Sequence, residues 1–180
     1  PQAQTLTWPQ FTRQGIRPNA SSTVKYGRTH RFYTGEPLYA FGYGLQYTKF
    51  SALPASKSAE VSAKGVQADL EKFTQFLAPS ILSVECEVKN EGGRASSTAI
   101  LAFLIPPGAG LNGRPLQNLG DFSRVPEILP GSGATAKFDF TAWDFSLADK
   151  HGEWGALEGA WLVRFSLGGG DSATMTINVS

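Results

Sequence analysis

The sequence predicts an all-β protein: an antiparallel β-sandwich, with an irregular connector in front and one short helix inserted. Three observations carry this. Apolar and polar residues alternate in several short runs, the period of a strand with one buried face. Clusters of Gly, Pro and Asn separate these runs, and the chain holds 20 glycines and 11 prolines in 180 residues. Only one stretch has helical spacing. With 41% apolar and 12% aromatic residues there is ample material for a single core, and an extended disordered polymer is excluded.

Residues 1–28 are polar and without a sustained period, punctuated by Pro9, Gly15, Pro18 and Gly27. Residues 27–50 read GRTHRFYTGEPLYAFGYGLQYTKF and hold Tyr33, Tyr39, Tyr43 and Tyr47. There Gly35, Gly42 and Gly44 break the chain into short extended pieces. Residues 51–65 are rich in Ser, Ala and Lys and read as an exposed loop or linker. Val66, Leu70, Phe73 and Leu77 recur at i, i+4, i+7 and i+11, which predicts an amphipathic helix over Val66 to Leu77, stopped by Pro79. The period then becomes two. Ile81 to Val88 is a half-buried strand, with Glu85 and Glu87 on its solvent side and Cys86 among the inward residues. Asn90-Glu91-Gly92-Gly93 is a turn, and Thr98 to Ile105 is a continuous apolar strand ended by Pro106-Pro107-Gly108. Leu116 to Leu129 holds two short extended pieces. Ala134 to Thr141 alternates Ala136, Phe138 and Phe140 with polar positions. Trp143 to Gly159 reads as a long polar loop. Trp161, Val163, Phe165 and Leu167 face inward on the next strand, and Gly168-Gly169-Gly170-Asp171 turns it into Ala173 to Val179. The total is six or seven strands, the spacing of a sandwich.

Composition excludes several function classes. Sixteen Lys and Arg against 15 Asp and Glu leave a net charge of +1, too little to neutralise a phosphate backbone, so nucleic acid is not an expected partner. The longest apolar run, Ala99 to Pro107, is far shorter than the ~20 residues of a membrane-spanning helix, so no membrane partner is expected either. The single cysteine, Cys86, allows no intramolecular disulfide and reads as a buried hydrophobe. His30 and His151 are the only histidines, and no G-x-S-x-G elbow accompanies them. Asp149, His151 and Glu153 alternate as metal ligands would, but their polar loop favours plain solvation. No cofactor is implied. Two sequons, Asn19-Ala20-Ser21 and Asn178-Val179-Ser180, make Asn19 and Asn178 candidate glycan attachment sites. Sugars stack on flat aromatic faces, so Trp143 and Trp154, in or beside the polar loop, are candidates for carbohydrate contact. The competing reading makes them plugs that seal one end of the sandwich. Trp161 belongs to the core by its strand position. The chain opens on Pro1 and its only methionine is Met175, which suggests a polypeptide cut from something longer.

The stretch from Gly27 to Thr48 closely resembles the segment G-R-T-Y-R-F-Y-x-G-x-x-x-Y-P-F-G-Y-G-L-S-Y-T of the family 3 glycoside hydrolases, departing at His30, Ala40 and Gln46. Further on, Val88 to Gly92 is similar to that family's V-x-N-x-G turn. Leu119 to Val125 resembles its L-x-G-F-x-R-V strand with Asp121 inserted, Leu129-Pro130-Gly131 its L-x-P-G turn, and Trp143 to Asp149 its D-L-S-x-x-D segment. Gly159 to Val163 resembles G-x-Y-x-V, with Trp161 in place of the tyrosine whose hydroxyl anchors a sandwich corner. An indole N–H can hold such a corner only by donating. The resemblance spans roughly residues 15–180, and the R-F-Y-T-G form lies nearest the β-xylosidase branch.

The resemblance implies that residues 1–40 are a tail and connector from a preceding α/β domain. Residues 41–180 would be an immunoglobulin or fibronectin type III-like β-sandwich, with a loop and short helix at 51–79. Family members are retaining exo-glycosidases whose nucleophile lies on a (β/α)₈ barrel and whose acid/base lies on a second domain. A barrel needs about 250 residues, and no position here matches either catalytic group. The expected function is therefore a non-catalytic C-terminal module of a secreted β-glycosidase, stabilising the catalytic domains of the same parent protein. A module binding plant cell-wall polysaccharide or lignin, and one chain of a nicked active enzyme, are the alternatives. Phe32, Tyr33, Tyr39, Phe41 and Tyr43 are expected to pack against the catalytic domains or fold back on the sandwich. Left bare, they would promote self-association.

Overall fold

A computed structural model describes residues 16–18, 25–149, 151–168 and 172–180. Among them ten strands form, where the sequence predicts six or seven. The additional ones lie in stretches that read as loops. Phe50–Pro54 (β1) and Ser58–Val61 (β2) occupy the Ser/Ala/Lys-rich segment. Each is short and lies at a sheet edge, so few side chains need burial: Phe50 anchors β1 and Val61 anchors β2. That leaves little periodicity to read.

The helix, α1, spans Ala63–Lys72 and is shorter and earlier than its apolar spacing predicts. Ser62 caps it by accepting from the Gly65 N–H at 3.4 Å. Val66 is fully buried and Leu70 packs against the core. Phe73 leaves the helical conformation, with φ −120° and ψ 141°, and its carbonyl accepts the Trp143 indole N–H at 3.3 Å. Leu77 therefore sits outside the helix, largely exposed.

The remaining strands are Ser80–Asn90 (β3), Ser96–Ile105 (β4), Asn118–Ile128 (β5), Gly133–Thr141 (β6), Ser146–Ala148 (β7), Trp154–Ala156 (β8), Gly159–Ser166 (β9) and Ser172–Val179 (β10). One sheet runs β1-β3-β6 and the other β2-β10-β9-β4-β5. Every pairing is antiparallel except β2 with β10, which is parallel. The inward residues of both sheets form one core, centred on Val84, Cys86, Val88, Ile100, Leu104, Phe138, Phe140, Trp161, Val163 and Phe165. Glu85 and Glu87 face solvent, as their alternation predicts. Cys86 is fully buried, and burial pushes its thiol up to about 11.

The expected polar loop from Trp143 to Gly159 is in fact structured. A single 3₁₀ turn, Ala142–Phe145, buries Phe145 completely and leads into the β7–β8 hairpin. Asp144 fixes the turn by accepting from the Thr141 N–H at 2.8 Å and the Thr141 hydroxyl at 2.9 Å. The extra Asp121 of the sequence motif appears as a shift in the β4–β5 register, where Ala102 faces Asp121 and Phe103 faces Leu119. Gly120 is the unpaired residue of this bulge. A Cβ there would come within 2.6 Å of Leu104 Cδ1 and 2.8 Å of Phe140 Cε1. Asp121 meanwhile accepts the Asp139 N–H at 3.0 Å, tying the edge of one sheet to the other. No helix among the described residues is long and apolar enough to cross a membrane.

Candidate functional site

The connector is clasped onto the outer face of the five-stranded sheet. Strand β4 explains why. It is an apolar interior strand between β9 and β5, and its outward residues Leu101 and Phe103 would otherwise meet water. Phe103 is fully buried. His30 and Phe41 stack with ring centres 4.2 Å apart, each 6.0 Å from the Phe103 ring. The Arg164 guanidinium covers the same ring at 4.7 Å. Burial, and then the neighbouring Arg31, lower the His30 pKa, so this ring packs in its neutral form. Gly42, at φ +85°, passes over Leu101 where a Cβ would collide with the leucine side chain.

Polar bonds complete the clasp. The Leu116 N–H donates to the Arg31 carbonyl at 2.6 Å, and Arg31 Nε donates to Asn118 Oδ1 at 2.7 Å. Gln46 Nε2 donates to Thr98 Oγ1 at 2.9 Å and to the Leu167 carbonyl at 2.7 Å. Further along, the Thr48 hydroxyl donates to Asn90 Oδ1 at 2.8 Å. Asn90 is fully buried and uses its whole side chain. Its Oδ1 also accepts the Gly92 N–H at 3.0 Å, while its Nδ2 donates to the Arg94 and Ile128 carbonyls at 2.7 and 2.9 Å. One amide thus joins the connector, the β3–β4 turn and the β5–β6 turn.

The predicted aromatic contacts divide. Phe32 is buried, with the Arg17 and Arg31 guanidiniums 5.2 and 5.5 Å from its ring centre. Tyr33 lies edge-on to Tyr26, and Tyr39 lies against Tyr43 at 4.8 Å. Tyr33, Tyr39, Phe41 and Tyr43 keep exposed surface, and Leu38, Leu45 and Tyr47 are more exposed still, Leu45 at 91%. These last three are absent from the sequence-based expectation.

At the β7–β8 hairpin, Trp143 is half-buried and meets Trp154 edge to face, with centres 5.3 Å apart and planes at 64°. The two indoles do not form one flat platform. Trp143 seals the α1 end of the sandwich, and Trp154 remains 43% exposed. Trp154 lies on an open groove of about 980 Å³ between the hairpin and the connector, whose other wall carries Arg17, Arg31 and Arg114. Asp149 accepts the N–H groups of His151 and Glu153 at 2.7 and 3.0 Å, which makes it the pivot of the hairpin turn. No cluster of potential metal ligands occurs among the described residues. Asn178 donates to Glu60 Oε1 at 2.8 Å, so its amide is engaged across β10 and β2. Asn19 lies outside the described residues.

No family profile matches the chain. Individual relatives do. The exo-1,4-beta-xylosidase xlnD of Aspergillus oryzae is 31% identical over 143 residues, covering 76% of this chain and 17% of that enzyme. The probable exo-1,4-beta-xylosidase xlnD of Aspergillus terreus is 30% identical over 142 residues, covering 77% and 17%. Among solved structures, a GH3 exo-beta-xylosidase (XlnD) in complex with a xylobiose aziridine probe superposes with a TM-score of 0.78 at 23% identity, over 92% of this chain and 21% of that one. The chain belongs to family 3 of the glycoside hydrolases. A beta-glucosidase from Listeria innocua, in complex with glucose, gives a TM-score of 0.63 at 25% identity over 83% of this chain and 18% of that one. The chain therefore spans about one sixth to one fifth of the length of its relatives.

The family motifs now have physical content. Asn90 is the asparagine of the V-x-N-x-G turn, and Gly92 is required because a Cβ there would run into Thr48 and the Lys49 N–H. Trp161 stands at the tyrosine position of its motif, and its indole N–H donates to the Leu157 carbonyl at 2.9 Å. The clasp of Gln46 and the Arg17–Arg31 wall escaped the sequence reading. The uninterrupted apolar run of β4 was the available signal, since it marks a strand covered on both faces.

Proposed function

We propose that this chain is a non-catalytic, fibronectin type III-like module at the C-terminal end of a secreted exo-β-glycosidase of the β-xylosidase type, and that it stabilises the catalytic part of that protein. The relatives of highest identity named above are exo-1,4-beta-xylosidases, and the chain covers 17% of each, which supports the xylosidase assignment and a supporting role together. The observation that carries the stabilising role is the apolar strap from Leu38 to Tyr47. Its underside is clasped to β4, and its upper side presents Leu38, Tyr39, Leu45 and Tyr47 to solvent. Full burial of one such side chain contributes roughly 1.5–3 kcal/mol, so a partner surface covering the strap would gain several kcal/mol. The sequon at Asn19 is what favours secretion.

The carboxylates nearest a concavity, Asp149 and Glu153, rise from one hairpin. Hydrolysis of a glycoside requires two carboxyl groups flanking the bond, and Asp149 is committed to its turn. The isolated chain is therefore expected not to hydrolyse 4-nitrophenyl β-D-xyloside or β-D-glucoside. Turnover that survives purification to constant specific activity and falls in Glu153→Gln would overturn the non-catalytic assignment.

A further inference from the structure

We propose that the groove between the connector and the β7–β8 hairpin is a binding site for a sugar bearing a carboxylate, a uronic acid residue on an oligosaccharide. This goes beyond the stabilising role and does not depend on it.

The first 35 residues hold five Lys and Arg and no Asp or Glu. The Arg17 and Arg31 guanidiniums both lie within 5.5 Å of the Phe32 ring centre, and both line the groove. Burial, and to a lesser degree the neighbouring Arg17, hold the Arg31 guanidinium below its usual range. Each spends its Nε on a fixed acceptor: Arg17 on the Gly113 carbonyl at 2.9 Å, Arg31 on Asn118 at 2.7 Å. This orients both planar forks and leaves their terminal N–H groups for a further partner. The ion pairs among the described residues, Lys49–Glu91 and Lys137–Asp139, involve neither arginine. A carboxylate is the group that two oriented guanidiniums recognise best.

The opposite wall selects a sugar as the carrier of that carboxylate. Trp154 offers an exposed indole, a surface on which the C–H face of a pyranose packs. Asp149 and Glu153 beside it would repel an anion, yet the Glu153 carboxylate can accept bonds from hydroxyl groups. The two walls thus demand opposite chemistries from one ligand: a carboxylate toward the connector and a hydroxylated ring toward the hairpin. An acidic peptide satisfies only the first. A groove of about 980 Å³ accommodates two or three sugar rings.

The test is titration of the 180-residue chain with three probes: xylotriose carrying a glucuronate branch, unbranched xylotriose, and a glutamate-rich heptapeptide. Binding is followed by calorimetry and by tryptophan fluorescence. The branched sugar is expected to bind roughly tenfold or more tighter than the neutral one, as charge-assisted bonds to two arginines imply. The preference should shrink as salt rises to about 0.5 M. Arg31→Gln should abolish the preference while leaving weak neutral binding, and Trp154→Ala should weaken both sugars. Thermal unfolding of each variant separates lost binding from lost folding. If Arg31→Gln does not fold, the salt series on the unsubstituted chain decides alone. Equal affinity for the two sugars, binding of the peptide without the sugar, or no binding at all would each overturn the proposal.

Discussion

Replacing Asn90 with alanine removes one side chain and orphans four partners. The Ile128 carbonyl is the fully buried one. A buried group left without its bond costs ~1–3 kcal/mol. The Thr48 hydroxyl, the Gly92 N–H and the Arg94 carbonyl are part-buried, and water can reach them after small adjustments, so each bond counts at its net value of about 0.5–1 kcal/mol. The expected loss is therefore about 2.5–6 kcal/mol. For a domain of this size that lowers the thermal midpoint by roughly 5–24 °C, and the loss is a large share of a total stability of ~5–15 kcal/mol. Asn90→Asp sharpens the test. It keeps an acceptor for Thr48 and Gly92 but turns a carboxylate oxygen toward two carbonyls. It should be at least as destabilising as alanine near pH 7, despite matching the asparagine in shape. Urea denaturation followed by tryptophan fluorescence measures both variants. A loss under 1 kcal/mol for alanine, or an aspartate variant as stable as the parent, would refute the claim that this amide joins three segments.

Gly120→Ala should cost about 1–3 kcal/mol by overpacking, because its Cβ would press on Leu104 and Phe140. Trimming Leu104 to valine in the same chain should recover part of the loss, as seen in denaturation midpoints. The Cys86 thiol should resist iodoacetamide in the folded chain at pH 8, since burial raises its pKa to about 11, and it should alkylate fully in urea. Asp144 sets a pH dependence. Burial raises its carboxyl above the usual aspartate value of 3.8, with Asp121 adding to the rise and the Thr141 bonds opposing it. The folded chain then holds this proton to higher pH than the unfolded one. The stability it contributes is complete below about pH 3.8 and is lost as pH rises through the folded value. Asp144→Asn should remove that part of the slope in unfolding measured from pH 3 to 7.

The strands most legible in the sequence were those with one wet and one dry face. Val84, Cys86 and Val88 on β3, Ala136, Phe138 and Phe140 on β6, and Trp161, Val163 and Phe165 on β9 alternate because each strand is long and turns one whole face onto the core. Strands β1 and β2 hid because they are edge strands of five and four residues with one well-buried side chain each. The β7–β8 hairpin hid because three-residue strands leave no period to detect. The helix read too long because Phe73 and Leu77 continue its apolar spacing by coincidence, whereas the backbone turns at Phe73 to meet Trp143. At the candidate site, composition pointed to Trp154, but only the fold brings Arg17 and Arg31 opposite it. Residues 17 and 154 are joined by no local rule.

The central claim is that this region supports catalysis carried elsewhere in the same polypeptide. The direct measurement is the half-life of aryl-xylosidase activity at elevated temperature, compared between the parent polypeptide and the same polypeptide shortened to end before residue 16 of this chain. A shortened protein that keeps its specific activity at 25 °C but inactivates many times faster on heating is the expected result. Equal half-lives, or loss of catalysis at 25 °C in a shortened protein that is still folded, would contradict it.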